Sequence, residues 1–317
     1  MDELDARILR ELTQATRALP ARPGFRASNR AIARTLQVSP GTVRNRIHRM
    51  SAEGVLTGWS VYANPNLLGL EPAAYAVEVS PGRKKGEVVE RLRALEEVYF
   101  IQNFRGNLVG LAFVFPDEES RAKTVATVQA ITGARGGIFS RVHYPPCSVT
   151  LTPPEWRLLS RLTRGRLSTY AALARELGAS VRTIKRRVTK LVRGRAILSV
   201  PTLDYRALSG CVPVDLVVAF TSPATRHEAE RRILTLVGNG LIFAGSWADL
   251  GLFSLLLPSV GTATRLADEV PRIPGVRMAR VEIVEDHIDQ LSALHRYVDR
   301  QWAASLLPGS GPGKSAN

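Results

Sequence analysis

The chain has 317 residues, 45% of them hydrophobic and 6% aromatic, and a formal net charge of +15. That length suits two or three domains, and no apolar run approaches the roughly 18 residues needed to cross a bilayer. Two isolated cysteines, Cys147 and Cys211, argue against a disulfide scaffold or a cysteine zinc site and fit a reducing cytoplasm, and the acidic start MDELDARIL does not read as a signal peptide.

In chain order, Leu4, Ile8, Leu9 and Leu12 form a first helical stripe. SNRAIARTL follows, with Ser28 or Asn29 as N-cap and Ile32 and Leu36 turned inward. Ser39 caps a third helix with Pro40 in its first turn, where a missing N–H costs nothing. At 100° per residue Val43, Ile47 and Met50 share its buried side. Arg44, Asn45, His48 and Arg49 lie opposite, flanked by Thr42 and Arg46. A turn at Gly54 leads into the extended stretch VLTGWSVYA (55–63). The spacing then predicts a strand at 73–79, a helix at 86–96 built on Val88, Leu92 and Leu95, strands at 98–104 and 107–115, a helix at 117–131 and a strand at 137–144.

The plan then repeats. TVRNRIHRM (42–50) aligns with TIKRRVTKL (183–191) at an offset of 141, and ILREL (8–12) with LLSRL (158–162) at 150. The difference is a nine-residue insert around LPARPGF, which reads as a loop. Thr152-Pro-Pro-Glu155 forms a capping box, and Ser168 and Ser180 are the next caps. Ile184, Val188 and Leu191 are the buried side of the second basic helix. Lys185, Arg186, Thr189 and Lys190 face out, flanked by Thr183 and Arg187. Gly194 and AILSVPTL (196–203) follow, then a strand at 212–221, a helix at 225–237, strands at 241–247 and 249–257, a helix at 260–270 and a strand at 276–284. A last helix is expected from Asp286 to Ala303 along Ile288, Leu291, Leu294 and Val298, before a mobile Gly/Pro/Ser-rich tail.

The expected class is therefore α+β. Two winged helix-turn-helix domains (1–63 and 149–208) alternate with two ferredoxin-like βαββαβ domains (64–148 and 209–285) in tandem repeat, followed by a C-terminal segment at 286–317. An antiparallel sheet with helices on one face needs a cover for the other, and a second such sheet from the same chain supplies one.

The charge is concentrated. Ser28–Met50 holds five arginines and no acid, and Ser168–Arg193 holds seven lysines or arginines and one acid. An outward face of Arg, Asn, His and Thr has the chemistry of major-groove reading: Arg grips guanine, Asn adenine, and the rest bind phosphate. A basic helix face is usually just solvated, but here it recurs in register after a capped helix. Double-stranded DNA is thus the expected partner, read by two unlike helices held by an intramolecular pseudo-dimer.

LDARILREL (4–12), AIARTLQVSPGTVRNRIHRMSAEGVLTG (31–58) and NPNLLG (64–69) resemble the Lrp/AsnC family of transcription regulators. ALARELGASVRTIKRRVTKL (172–191) and VDLVVAF (214–220) carry the same resemblance in the second half. The resemblance implies DNA binding by the helix-turn-helix. It also implies sheet-to-sheet pairing of the ferredoxin-like (RAM) domains and often a small effector, commonly an amino acid. In the family a Gly and an Asp mark the turn after the second sheet strand. Here the matching residues are Gly245 and Asp249, with Trp247 as an apolar wall, and Gly106 and Asn107 in the first half. The plain reading of these residues is turn formation. Further association of fused chains is left open.

No catalytic residue, metal site or cofactor is expected. His287 and His295, eight apart on the last helix, make a poor zinc pair. Two alternatives stand beside the regulator. One is a haem-pathway decarboxylase of paired Lrp/AsnC-like units, for which Arg141 and His143 are the nearest His–Arg pair. The other is an architectural DNA-binding protein without effector.

Overall fold

The computed structural model describes residues 1–14, 28–147, 149–164, 169–247, 249–290 and 292–306. The first half runs α1 (Glu3–Gln14), α2 (Asn29–Leu36), α3 (Pro40–Ala52), β1 (Leu56–Ala63), β2 (Glu71–Glu78), α4 (Lys85–Arg93), β3 (Val98–Phe104), β4 (Leu108–Phe115), α5 (Glu118–Thr132) and β5 (Ile138–Arg141). The second runs α6 (Pro153–Thr163), α7 (Tyr170–Leu177), α8 (Val181–Arg193), β6 (Ile197–Leu203), β7 (Val212–Phe220), α9 (Pro223–Val237), β8 (Leu241–Trp247), β9 (Leu250–Leu257), α10 (Val260–Glu269), β10 (Val276–Asp289) and α11 (Ser292–Ser305). The two halves repeat the same order of helices and strands, up to the added α11.

The helices begin where short polar side chains can satisfy their first N–H groups. Ser28 accepts from Ala31 N at 3.2 Å, Ser39 from Thr42 N at 2.9 Å and Ser180 from Thr183 N at 3.1 Å. At the start of α6, Glu155 reaches back to Thr152 N at 2.9 Å. Ser168 lies outside the described residues, and Thr169 is the residue that caps α7. Gly178 ends α7 in the left-handed region at φ 62°. Its repeat mate Gln37 ends α2 at φ 55°, where a side chain costs about 1 kcal/mol.

All strand pairs are antiparallel. Eight strands join in the order β5-β2-β4-β3-β10-β7-β9-β8. Each half contributes a ferredoxin-like set of four, and β10 stitches them together. Its first part, from Val276 to Ile283, pairs with β7, and Val284 to Asp289 pairs with β3. The helix expected from Asp286 therefore begins only at Ser292. Residues 286–289 instead cover the edge of β3, whose backbone groups would otherwise be unpaired, and Ile288 packs into the first half's core. The same residues at helical spacing had a better use in the ladder.

The extended stretches after α3 and α8 form one shared ribbon. β1 pairs with β6, with Val61 opposite Ser199. As the two strands cross, each helix-turn-helix comes to rest on the other half. The core of α1–α3, including Ile8, Leu9, Val43 and Met50, closes over Ile242 of β8 and Leu256 of β9. The core of α6–α8, including Trp156, Ile184 and Val188, closes over Leu68, Tyr99 and Val114 of the first half. Helix α11 packs on α6, where Asp299 accepts from Ser160 Oγ at 2.7 Å and from Arg164 at 2.5 Å.

Helices α4 and α5 cover one face of the first half-sheet, and α9 and α10 cover the same face of the second. Strand alternation sends Ala74, Gln102 and Ala112 to the opposite face of the first half, and Asp215, Val217 and Ser254 to that of the second. These faces line one cavity of ≈ 350 Å³, bordered also by the β1–β6 ribbon. Among the described residues no helix is long and apolar enough to cross a membrane.

Candidate nucleic-acid interface

Helices α3 and α8 present the faces that their sequence dictates. Val43 and Met50 in α3, and Ile184, Val188 and Leu191 in α8, are fully buried. Arg44, Asn45, His48 and Arg49 are exposed, as are Lys185 and Arg186. Thr42, Arg46, Thr183, Arg187, Thr189 and Lys190 are half-buried, so Thr189 and Lys190 sit further in than expected. The Thr42 and Thr183 hydroxyls bond to their capping serines, Ser39 and Ser180, at 2.9 Å in each case.

The cations on these helices divide into two kinds. Arg49 pairs with the fully buried carboxylate of Asp5, and Arg46 reaches Asp5 at 3.3 Å and also pairs with Asp2. In α8, Lys190 pairs with Glu155 at 2.7 Å, and Glu155 is 6% exposed. Asp5 aligns with Glu155 at the first-helix offset, and Arg49 with Lys190 at the third-helix offset. The same tie between first and third helix is thus built twice. Burial works to raise the Glu155 carboxyl, but the hydrogen bonds from Lys190 and Thr152 outweigh it and hold the group below the usual range. The Asp2 hydrogen bond raises the Arg46 guanidinium further above its already high value.

The second kind is free for a partner. Arg44, His48, Arg186 and Arg187 make no ion pair or hydrogen bond to another side chain among the described residues. Lys185 lies over the Tyr170 ring at 5.9 Å. Thr189 spends its hydroxyl on the Lys185 carbonyl at 2.8 Å.

The residues matched to the family's effector turn are not gathered into one site. Asn107 is exposed in the β3–β4 turn, next to Gly106 at φ 86°. Gly245 lies within β8 opposite Leu252, and the exposed Asp249 faces Arg277 at 3.5 Å. The Trp247 side chain lies outside the described residues, as does Ala248.

A polar cluster that sequence reasoning missed lines the cavity between the half-sheets. Asp215 is 2% exposed, sits opposite Ser254 in the ladder, and its Oδ1 has no hydrogen-bond partner. Burial pushes its carboxyl up to about 7, against the lowering effect of the Ser254 bond. His287 stands opposite Gln102, stacked on Phe100 at 5.7 Å and edge-on to Tyr205 at 4.9 Å, and its Nδ1 is also unpartnered. Burial raises the Asp289 carboxyl, with the neighbouring His287 pulling it back. The Tyr205 hydroxyl is pushed above its ordinary range by burial and by Asp215 and Asp289. The signal was in CVPVDLVVAF, where an acid interrupts an apolar strand.

His287 and His295 are thereby separated. His287 is on β10, and His295 sits on α11 with its Nδ1 2.8 Å from Thr163 Oγ1. Among the described residues no group of three His, Cys, Asp or Glu is placed to hold a metal.

The chain carries two helix-turn-helix units on a joined pair of ferredoxin-like half-sheets. Residues 1–51 match the AsnC-type helix-turn-helix domain. The HTH-type transcriptional regulator Ptr1 of Methanocaldococcus jannaschii is 30% identical over 152 residues, which is 48% of this chain and 90% of that protein. An uncharacterized HTH-type transcriptional regulator of Pyrococcus horikoshii is 35% identical over 99 residues, 31% of this chain and 56% of its own length. The chain belongs to the Lrp/AsnC family of transcription regulators, with a DNA-binding helix-turn-helix. Among solved structures, the siroheme decarboxylase NirDL aligns with a TM-score of 0.53 at 17% identity, over 96% of this chain and 99% of that one. At that identity the likeness is one of fold.

Proposed function

We propose that the chain is a sequence-specific transcription regulator that sets two unlike helices, α3 and α8, into successive major grooves of one duplex. Arg44, Asn45 and His48 read one half-site, and Lys185, Arg186 and Arg187 read the other. Arg46, Arg49 and Lys190 hold the helices at their working angle through Asp2, Asp5 and Glu155. The observation that carries this reading is the duplicated tie: the same acid–base clamp fixes both helices while their exposed residues differ. Equal mounting with unequal reading faces is what an asymmetric operator requires.

Selection of bound sequences from a random DNA pool tests it. Two dissimilar half-motifs at fixed spacing are expected. Enrichment of a perfect palindrome contradicts the unlike readers, and no enrichment at all favours an architectural role.

The whole-length likeness to the siroheme decarboxylase, which has also been solved with an iron-uroporphyrin III analogue, raises an enzyme reading. The side chains of this chain oppose it. Arg141 is bound to Glu71 and Glu118, and His143 is exposed, so the pair faces away from the cavity. The described lining of that cavity includes no Lys or Arg to meet the acid side arms of a tetrapyrrole, and it includes Asp215 and Asp289. Effector binding is better supported at this cavity than at the exposed turns of Asn107 and Asp249.

A further inference from the structure

We infer that the cavity between the two half-sheets is a binding site for a small aryl-alkylamine, a mainly apolar molecule whose protonated nitrogen is held by the Asp215 carboxylate. The inference gives the regulator reading its effector class, but ligand binding is measured without DNA and so stands or falls separately.

Three observations carry it. The first is the space. A volume of ≈ 350 Å³ is within the range of small-molecule sites, and its walls are largely aromatic and aliphatic, including Phe100, Phe104 and Leu252.

The second is an asymmetry in the repeat. In the second half Asp215 stands opposite Ser254. In the first half the equivalent ladder pair is Ala74 opposite Ala112. All four residues line the cavity, so one wall is polar and the matching wall is cut back to methyl groups. An interior that served only to pack would be filled from both sides.

The third is the orphaned acceptor. Buried polar groups are nearly always satisfied, and an unpaired buried carboxylate is costly. Asp215 Oδ1 has no partner, and the groups around Asp215 are Ser254 from β9, Tyr205, and from β10 Glu282 directly opposite it with its ion-pair partner Arg280, then His287 and Asp289 further along. An N–H donor on a bound molecule would complete the site. Asp215 and Asp289 in the described lining favour a cation, and the nearby Arg280, opposite Val217, is already engaged by Glu282 and Glu78. A free amino acid, which carries both an amine and a carboxylate, would find no unengaged Lys or Arg among the described lining residues for its carboxylate.

Calorimetric titration of the full chain tests this with tryptamine, phenethylamine and 1-naphthylmethylamine, each against a ring-matched anion such as indole-3-propionate. At least one amine should bind, its anion should bind at least about tenfold more weakly, and D215N should remove that preference. Ala74→Leu, which fills the opposite wall, should weaken the amine without restoring the anion. In the unaltered protein, amine affinity should fall about tenfold per unit as pH drops below about 7, because the Asp215 proton must then leave. That measurement holds whether or not the variants fold. Equal binding of amine and anion, a flat pH profile, or no binding by any of the three amines overturns the inference.

Discussion

Arg49 of the third helix lies in an ion pair with Asp5 of the first, and Asp5 is wholly withdrawn from solvent. The pair sits on the very face that meets DNA in helix-turn-helix proteins, yet its charge is already spent inside the protein. Counting cations on a helix wheel therefore overstates the number available to phosphate.

Removing the cation from this tie exposes its cost. Arg49→Ala leaves Asp5 buried with the longer Arg46 contact and the Asp2 N–H, and Lys190→Ala leaves Glu155 without its cation. Each should lower stability by about 1–3 kcal/mol, the usual penalty being reduced because Arg49 and Lys190 are partly exposed. Urea denaturation measures the loss. The salt dependence of DNA binding should be unchanged in any variant that remains folded.

The free cations should behave in the opposite way. Arg44→Ala and Arg186→Ala should each shift stability by no more than about 0.5 kcal/mol. Each should weaken DNA binding and, where the side chain meets phosphate, flatten the plot of log affinity against log salt by about one counterion. Fluorescence anisotropy at several salt concentrations reads both effects. A wild-type slope in Arg44→Ala and Arg186→Ala together would remove these residues from the interface.

Asp215 gives the fold a pH signature. Its carboxyl titrates near 7 in the folded chain and near 4 when unfolded. Between those values the folded protein keeps a proton that the unfolded chain has released. This contribution to stability is complete below about pH 4, declines as pH rises, and is gone above about 7. Asp215→Asn removes the penalty. Relative to wild type, the variant should gain little at pH 4 and up to about 4 kcal/mol at pH 8. Denaturation curves at pH 4.5, 6 and 8 provide the comparison.

A backbone prediction comes from the repeat. Gln37 occupies the left-handed position that Gly178 fills in the other half. Gln37→Gly should stabilise the first helix-turn-helix by about 0.5–1 kcal/mol, read as a rise in midpoint temperature. Gly178→Gln should cost a similar amount.

The elements that depend on neighbours in sequence were legible in it. Ser39 and Ser180 cap where the serine–turn–helix pattern puts them, and Val43, Ile47, Ile184 and Val188 face inward as their spacing requires. Periodicity reports that a face is buried, but not what buries it. Nothing in Ile8 or Leu9 announces Ile242 and Leu256 as their cover. The segment 286–289 carried a helical spacing as well as a strand's, and the unpaired edge of β3 decided between them. Glu155 reads in the sequence as a capping-box residue, and its tie to Lys190, like that of Asp5 to Arg49, shows only when the third helices are laid beside the first. Asp215 was visible as an acid in an apolar strand, but its significance needed the empty space opposite, which only Ala74 and Ala112 reveal.

The crossed seating of the helix-turn-helix units also governs how the molecule comes into being. A ribosome releases α1–α3 early, but their apolar underside meets its lid only after Ile242 and Leu256 have emerged. The first helix-turn-helix must therefore wait, partly uncovered, for nearly the whole chain to be made. A chain ending before β8 would lack that lid and leave the apolar underside of α1–α3, with Ile8, Leu9, Val43 and Met50, without the cover of Ile242 and Leu256.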